Sequence, residues 1–125
     1  MHILLRRSIV SWTIEFYKTE TGTECVKEFL DTIENPKLKA KVLQDIKLLK
    51  EFGTELRSPH TDYLGDGIWE LRTKQSSNIA RTLYFTVTGQ KIILLHGFIK
   101  KTPKTPKPDL ERAIKNKNDY LRRHS

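Results

Sequence analysis

The chain has 125 residues, 37% of them hydrophobic, a formal net charge of +8 and a single cysteine. That length suits one domain (1–125) able to bury a core without disulfide or metal staples. The lone Cys25 excludes an internal disulfide framework and points to a reducing, cytoplasmic location, and no apolar run of about 18 residues is present to span a membrane.

In "MHILLRRSIVSW" the apolar run is broken by Arg6 and Arg7, so no secretory signal is expected and residues 1–10 read as a loosely ordered extension. "WTIEFY" (12–17) is rich in aromatic and β-branched types and predicts a first strand. After the turn "KTETGTE", Thr21 and Glu24 have the spacing of a capping box. The helix "ECVKEFLDTI" then carries Val26, Phe29, Leu30 and Ile33 on one stripe, with Cys25 as a small buried residue rather than a catalytic thiol. Asn35-Pro36 starts a second helix, with Asn35 as N-cap and Pro36 in the first helical position. Leu38, Val42, Ile46 and Leu49 line its apolar face, and Gly53 can close it in a left-handed cap.

"GTELRSPHTDYLGDG" (53–67) reads as a loop, punctuated by Pro59, Gly65 and Gly67. Three strands follow. In "IWELR", Trp69 and Leu71 share one face and Glu70 and Arg72 the other; in "IARTLYFTV", Leu83, Phe85 and Val87 oppose Thr82, Tyr84 and Thr86. "KIILLHGFI" is apolar on both parities, as expected of a central strand covered on both sides. "KKTPKTPKP" is a basic, extended linker because its prolines recur too often for regular structure. A last helix begins near Pro108, with Leu110, Ile114, Lys117 and Leu121 roughly in line. The resulting fold class is α+β: an antiparallel-rich sheet packed against an N-terminal αα-hairpin, with a C-terminal helix.

No Walker loop, dinucleotide fingerprint, Gly-x-Ser-x-Gly elbow or metal-ligand spacing is present, so no cofactor or metal is expected. What stands out is a basic set on strands and their ends. Arg72 and Arg81 sit where neighbouring strands meet the "TKQSSNIA" connection, and Lys100 and Lys101 leave the central strand beside them. Lys74 and Lys104 are close by in sequence. The guanidinium fork suits phosphate oxygens, and clustered cations repel unless an anion completes them. A vacant phosphate pocket on an open sheet face is therefore expected. The competing reading pairs Arg72 with a local acid such as Glu70 or Asp66, and Arg81 with another. His96 reads as a buried, hydrogen-bonded residue rather than a catalyst. Tyr84 either stacks on a base or packs under a helix. From Gly97 to Ser125, nine basic residues face three acidic ones, which points to nucleic acid or an acidic partner.

"GIWELRTK" followed by "NIARTLYFTVTGQKIILLHGFIKKTPKTPKPDLERAIKNKNDYLRR" resembles the RelE/ParE toxin superfamily in its HigB-like, phage-derived branch. The carriers are Leu-Arg at 71–72, Arg before the Tyr-Phe strand at 81–85, the Leu-Leu-His-Gly-Phe-x-Lys-Lys run at 94–101, the Thr-Pro repeat and the acidic-start C-terminal helix; the likeness covers about 63–123. It implies a type II toxin, an mRNA interferase (endoribonuclease) that acts in the ribosomal A site to inhibit translation. A helix-turn-helix (HigA-like) antitoxin would neutralise it. It implies catalytic roles for Arg72, Arg81 and Lys101; crowding among the cations makes Lys100 or Lys101 the candidate acid or base, and Lys74, Tyr84 and Lys104 are expected RNA contacts from their placement. "TPKTPKP" stands where relatives carry a tyrosine. The same fold also hosts ParE-like gyrase poisons without nuclease chemistry, and a non-catalytic nucleic-acid-binding module is a third reading. On the nuclease reading Arg81→Ala abolishes activity and leaves the fold intact.

Overall fold

The computed structural model describes residues 11–100 and 104–124. The expected extension at 1–10 lies outside the described residues. β1 (Thr13–Phe16) leads to α1 (Cys25–Thr32), α2 (Pro36–Phe52) and a 3-10 turn (Gly53–Glu55). Then come β2 (Thr61–Gly65), β3 (Ile68–Gln75), β4 (Asn78–Val87), β5 (Lys91–Ile99) and α3 (Lys107–Arg123). The strands form one sheet in the order β1-β5-β4-β3-β2, with β1 parallel to β5 and every other pair antiparallel. The protein is a small α+β domain with a mixed five-stranded sheet and three helices.

Local chemistry fixes the α2 boundaries. Asn35 Oδ1 accepts from the N–H groups of Lys37 at 2.9 Å and Leu38 at 3.3 Å, with Pro36 at the first turn. Gly53 ends the helix at φ 55° and ψ −126°, a positive φ but outside the left-handed helical well. Glycine is required there for a second reason: a Cβ would overlap the Trp12 indole. The capping box at α1 does not form. Glu24 makes no side-chain cap bond, and Thr21 pairs instead with the Thr19 hydroxyl at 3.2 Å.

Helices cover both faces. On one, α1 and α2 bury Val26, Leu30, Leu38, Val42 and Leu49 against Leu71, Ala80, Tyr84, Ile92 and Leu94. On the other, α3 brings Ala113 and Tyr120 to Ile68, Leu83, Phe85, Ile93 and Leu95. This explains the double-sided apolar pattern of β5; the face expected to be open is covered by α3 over β5 and β4, while Arg72 on β3 keeps partial exposure. The α3 stripe is also rotated from the expected line: Ala113, Asn116 and Tyr120 are buried, whereas Leu121 is exposed.

Two further expectations are revised. The expected loop at 53–67 contains β2, the outer strand beside β3. Its "TDYLG" lacks an apolar alternation because Asp62 and Tyr63 are exposed. The β3–β4 hairpin is also longer than its apolar residues suggest. Pairing continues to Gln75↔Asn78, so Arg72 and Arg81 oppose each other three pairs short of the turn rather than at it.

Candidate nucleic-acid interface

Directly opposed like charges on one face of an antiparallel pair destabilise it unless a counter-charge intervenes. Here Glu70, two residues before Arg72 on the same face of β3, supplies it. Its Oε2 lies 3.3 Å from Arg81 Nη1, and its Oε1 lies 3.7 Å from Arg72 Nε. Thr105 Oγ1 donates to Glu70 Oε2 at 2.5 Å, so the chain leaving β5 folds back over the pair. Arg72 Nη1 also reaches Asp62 Oδ2 at 3.4 Å.

The expected vacant cation pocket is therefore already filled by a carboxylate. Arg81 has no solvent exposure and Glu70 only 2%, so Arg81 cannot touch a ligand from this position. Arg72 differs: its side chain keeps 31% exposure. Its Nε is buried without a hydrogen bond, and its second carboxylate, Asp62, is half-exposed. The pairing of Glu70 with Arg72 agrees with the sequence; its service to both arginines is new. Asp66 does not pair with Arg72 but sits in the β2–β3 turn, with its carbonyl accepting from Lys117 Nζ.

The other expected residues scatter. Lys100 is exposed where the chain leaves β5, its N–H bonded to Ile79 O at 3.1 Å. Lys74 and Lys104 are exposed. Lys101 lies outside the described residues. Tyr84 is 4% exposed, in the core on the α1–α2 face away from Arg81, where burial pushes its hydroxyl well above the usual phenol range. It offers no ring face to a base, so the stacking role is corrected to packing. The half-buried Cys25 has its thiol pushed up by burial, which keeps it protonated and a poor nucleophile.

His96 joins the arginine face because of a bulge. Leu83 pairs with His96 but Tyr84 with Leu94, so Leu95 is an extra residue on β5. Such bulges bend a strand and re-aim side chains. The Leu95 carbonyl accepts from Asn116 Nδ2 of α3 at 2.9 Å, which satisfies the group the bulge disrupts. His96 Nε2 lies 2.8 Å from Asp109 Oδ1 in the first turn of α3, where the helix N-terminus favours a negative charge. Both side chains keep partial exposure, 14% and 20%. A hydrogen-bonded His96 agrees with the sequence; Asp109 as its orienting partner is new, since the two lie 13 residues apart across the Thr-Pro segment.

Among the described residues no group of three or more His, Cys, Asp or Glu side chains is placed to hold a metal ion, and no helix is long and apolar enough to cross a membrane. The site thus offers one accessible guanidinium on a rigid sheet, a buried ion pair beneath it, and a histidine–carboxylate pair on the same sheet face. No curated protein matches the chain. Residues 28–118 match the family model described as "Phage derived protein Gp49-like (DUF891)". The match runs from α1 into α3 and takes in every site residue named above, so the chain belongs to this Gp49-like family of phage-derived proteins.

Proposed function

We propose that this protein is the toxin of a type II toxin–antitoxin pair with a RelE-like fold, an endoribonuclease that cleaves mRNA on the ribosome. The observation that carries the reading is Arg72, rigidly mounted and partly exposed on the sheet face that also carries His96 with Asp109. The excess of basic charge and the RelE/ParE-like motifs support it.

Magnitudes decide which arginine takes the phosphate. Arg72–Asp62 is a surface pair worth about 0–1 kcal/mol, so a phosphate displaces Asp62 at little cost. Extracting Arg81 from Glu70 strands a buried charge at about 3–5 kcal/mol. Arg72 binds the non-bridging oxygens; Arg81 and Glu70 hold it in place. The 2′-hydroxyl attacks the adjacent phosphorus and the P–O5′ bond breaks, leaving a 2′,3′-cyclic phosphate and a 5′-hydroxyl. His96, oriented by Asp109, takes the 2′-proton. A lysine where the chain leaves β5, Lys100 or Lys101, protonates the departing 5′-oxygen. The ribosome adds substrate positioning, and a helix-turn-helix antitoxin would cover the basic face.

One observation favours a second reading, a gyrase poison without chemistry: both arginines already engage carboxylates. Brief induction in a bacterial host separates the two. The nuclease reading expects growth arrest with transcripts cut at discrete sites by primer extension, and loss of both for Arg72→Ala. Growth arrest with intact transcripts and a DNA-damage response would replace it with the gyrase reading.

A further inference from the structure

A cavity of about 430 Å³ opens beside Arg72, away from His96 and Asp109. It exists because β2 starts late. Pairing with β3 begins at Thr61↔Leu71, and beyond it only the His60 carbonyl follows, accepting from Arg72 N–H at 2.8 Å. The sheet edge steps back, and α2 and the chain entering β2 close the notch. Lys41, Pro59, His60, Arg72, Lys74 and Ile79 form its walls. Asp45 lies at its back, buried, with its Oδ2 accepting from Thr73 Oγ1 at 2.8 Å. Lys41 Nζ is held at the rim by the Lys74 carbonyl at 2.7 Å.

The chemistry of these walls selects a ligand class. Among the described residues Lys41 and Lys74 have no carboxylate partner, and with Arg72 they outnumber Asp45, the one carboxylate of the walls, which favours an anion. Pro59 and Ile79 add apolar surface that inorganic phosphate would leave uncovered. An imidazole and a guanidinium are planar groups on which unpaired bases stack. The volume falls in the range of small-molecule sites, roughly 300–1,000 Å³. We infer that this cavity is a nucleotide subsite. It takes one unit of single-stranded RNA next to the phosphate held by Arg72, with the base against Pro59, Ile79 and His60 and the neighbouring phosphate at Lys41 and Lys74. The inference rests on the RNA-directed reading above and gives that site a second contact point.

The test uses Lys41 and His60, which are exposed and have no part in the proposed chemistry. Fluorescence anisotropy at fixed ionic strength measures binding of a labelled RNA hexamer of mixed sequence to the full chain, with hexaglutamate as a competing probe. The Lys41→Ala/His60→Ala variant is expected to bind the hexamer about tenfold more weakly at unchanged melting temperature. Lys41→Arg with His60 intact is expected to bind like the parent. Equal hexamer affinity in the double variant overturns the subsite, as does failure of the parent chain to bind the hexamer. A loss confined to hexaglutamate also overturns it and assigns the cavity to an acidic peptide. If the parent binds and the variant does not, while transcripts in the host stay intact, the subsite stands and the nuclease reading fails.

Discussion

At the scale of single residues, the site turns on a carboxylate shared between two arginines. Arg81→Ala leaves Glu70 buried with its charge uncompensated. Loss of one partner from such a pair destabilises by about 3–5 kcal/mol. Urea unfolding of Arg81→Ala should show that drop, and Arg81→Met with Glu70→Leu should recover most of it. The expectation that Arg81→Ala spares the fold is therefore revised, and Arg72→Ala becomes the cleaner probe of function. The sequence carries part of this: strand parity puts Glu70 and Arg72 on one face and gives Arg81 the parity of Leu83 and Phe85. It does not carry the Arg72↔Arg81 register, which depends on how far the polar "TKQSSN" stretch continues as strand. That stretch resembles a connection because Lys, Gln, Ser and Asn carry little strand signal. Nor can it show Thr105 returning to Glu70, a contact between residues 35 positions apart.

At the scale of elements, the bulge in β5 matters most. One extra residue, Leu95, places His96 on the arginine face, and Asn116 of α3 holds the bulged carbonyl. Asn116→Ala leaves that buried carbonyl without its partner, a loss of about 1–3 kcal/mol by chemical denaturation. Hydrogen exchange should quicken at β5 and α3 together. If exchange in β5 stays at the parent rate, the bulge is held by strand pairing alone. The helices are legible in the sequence because Asn35-Pro36 and the 4, 4, 3 spacing of Leu38, Val42, Ile46 and Leu49 are strong local signals. β5 is legible because a short apolar run on both parities, bounded by a turn and a proline-rich segment, suits a strand covered on both faces. β2 is not: its Asp62 and Tyr63 face solvent, and Thr61 is buried by tertiary contacts with no trace in the local pattern. The α3 stripe is misplaced from sequence because the buried Asn116 and Tyr120 are polar or amphipathic, while the exposed Leu121 mimics a core position.

For the whole molecule, α3 is fastened to the N-terminal end of the fold by ionisable groups. Hydrogen bonds from Arg123 and then from Tyr17, whose hydroxyl donates to Asp119 Oδ2 at 2.5 Å, hold the Asp119 carboxyl well below the usual carboxylate range. The folded value lies below the unfolded one of about 4, so the unfolded chain binds more protons in acid. The contribution is fully present above that unfolded value and is lost as pH falls through the folded one. Asp119→Asn should flatten the acid limb of a stability–pH curve and leave its shape near pH 7 unchanged; an unaltered acid limb would remove Asp119 from the account. On the proposed reading, the net charge of +8 would add a salt-sensitive attraction for RNA that does not by itself distinguish cutting from binding. The discriminating measurement is the rate at which ribosome-bound mRNA is cleaved by the parent chain and by His96→Gln at equal folded concentration. Loss of a general base predicts a fall of about 10²–10⁴-fold with RNA affinity retained; an unchanged rate, or no cleavage by the parent chain, would contradict the account.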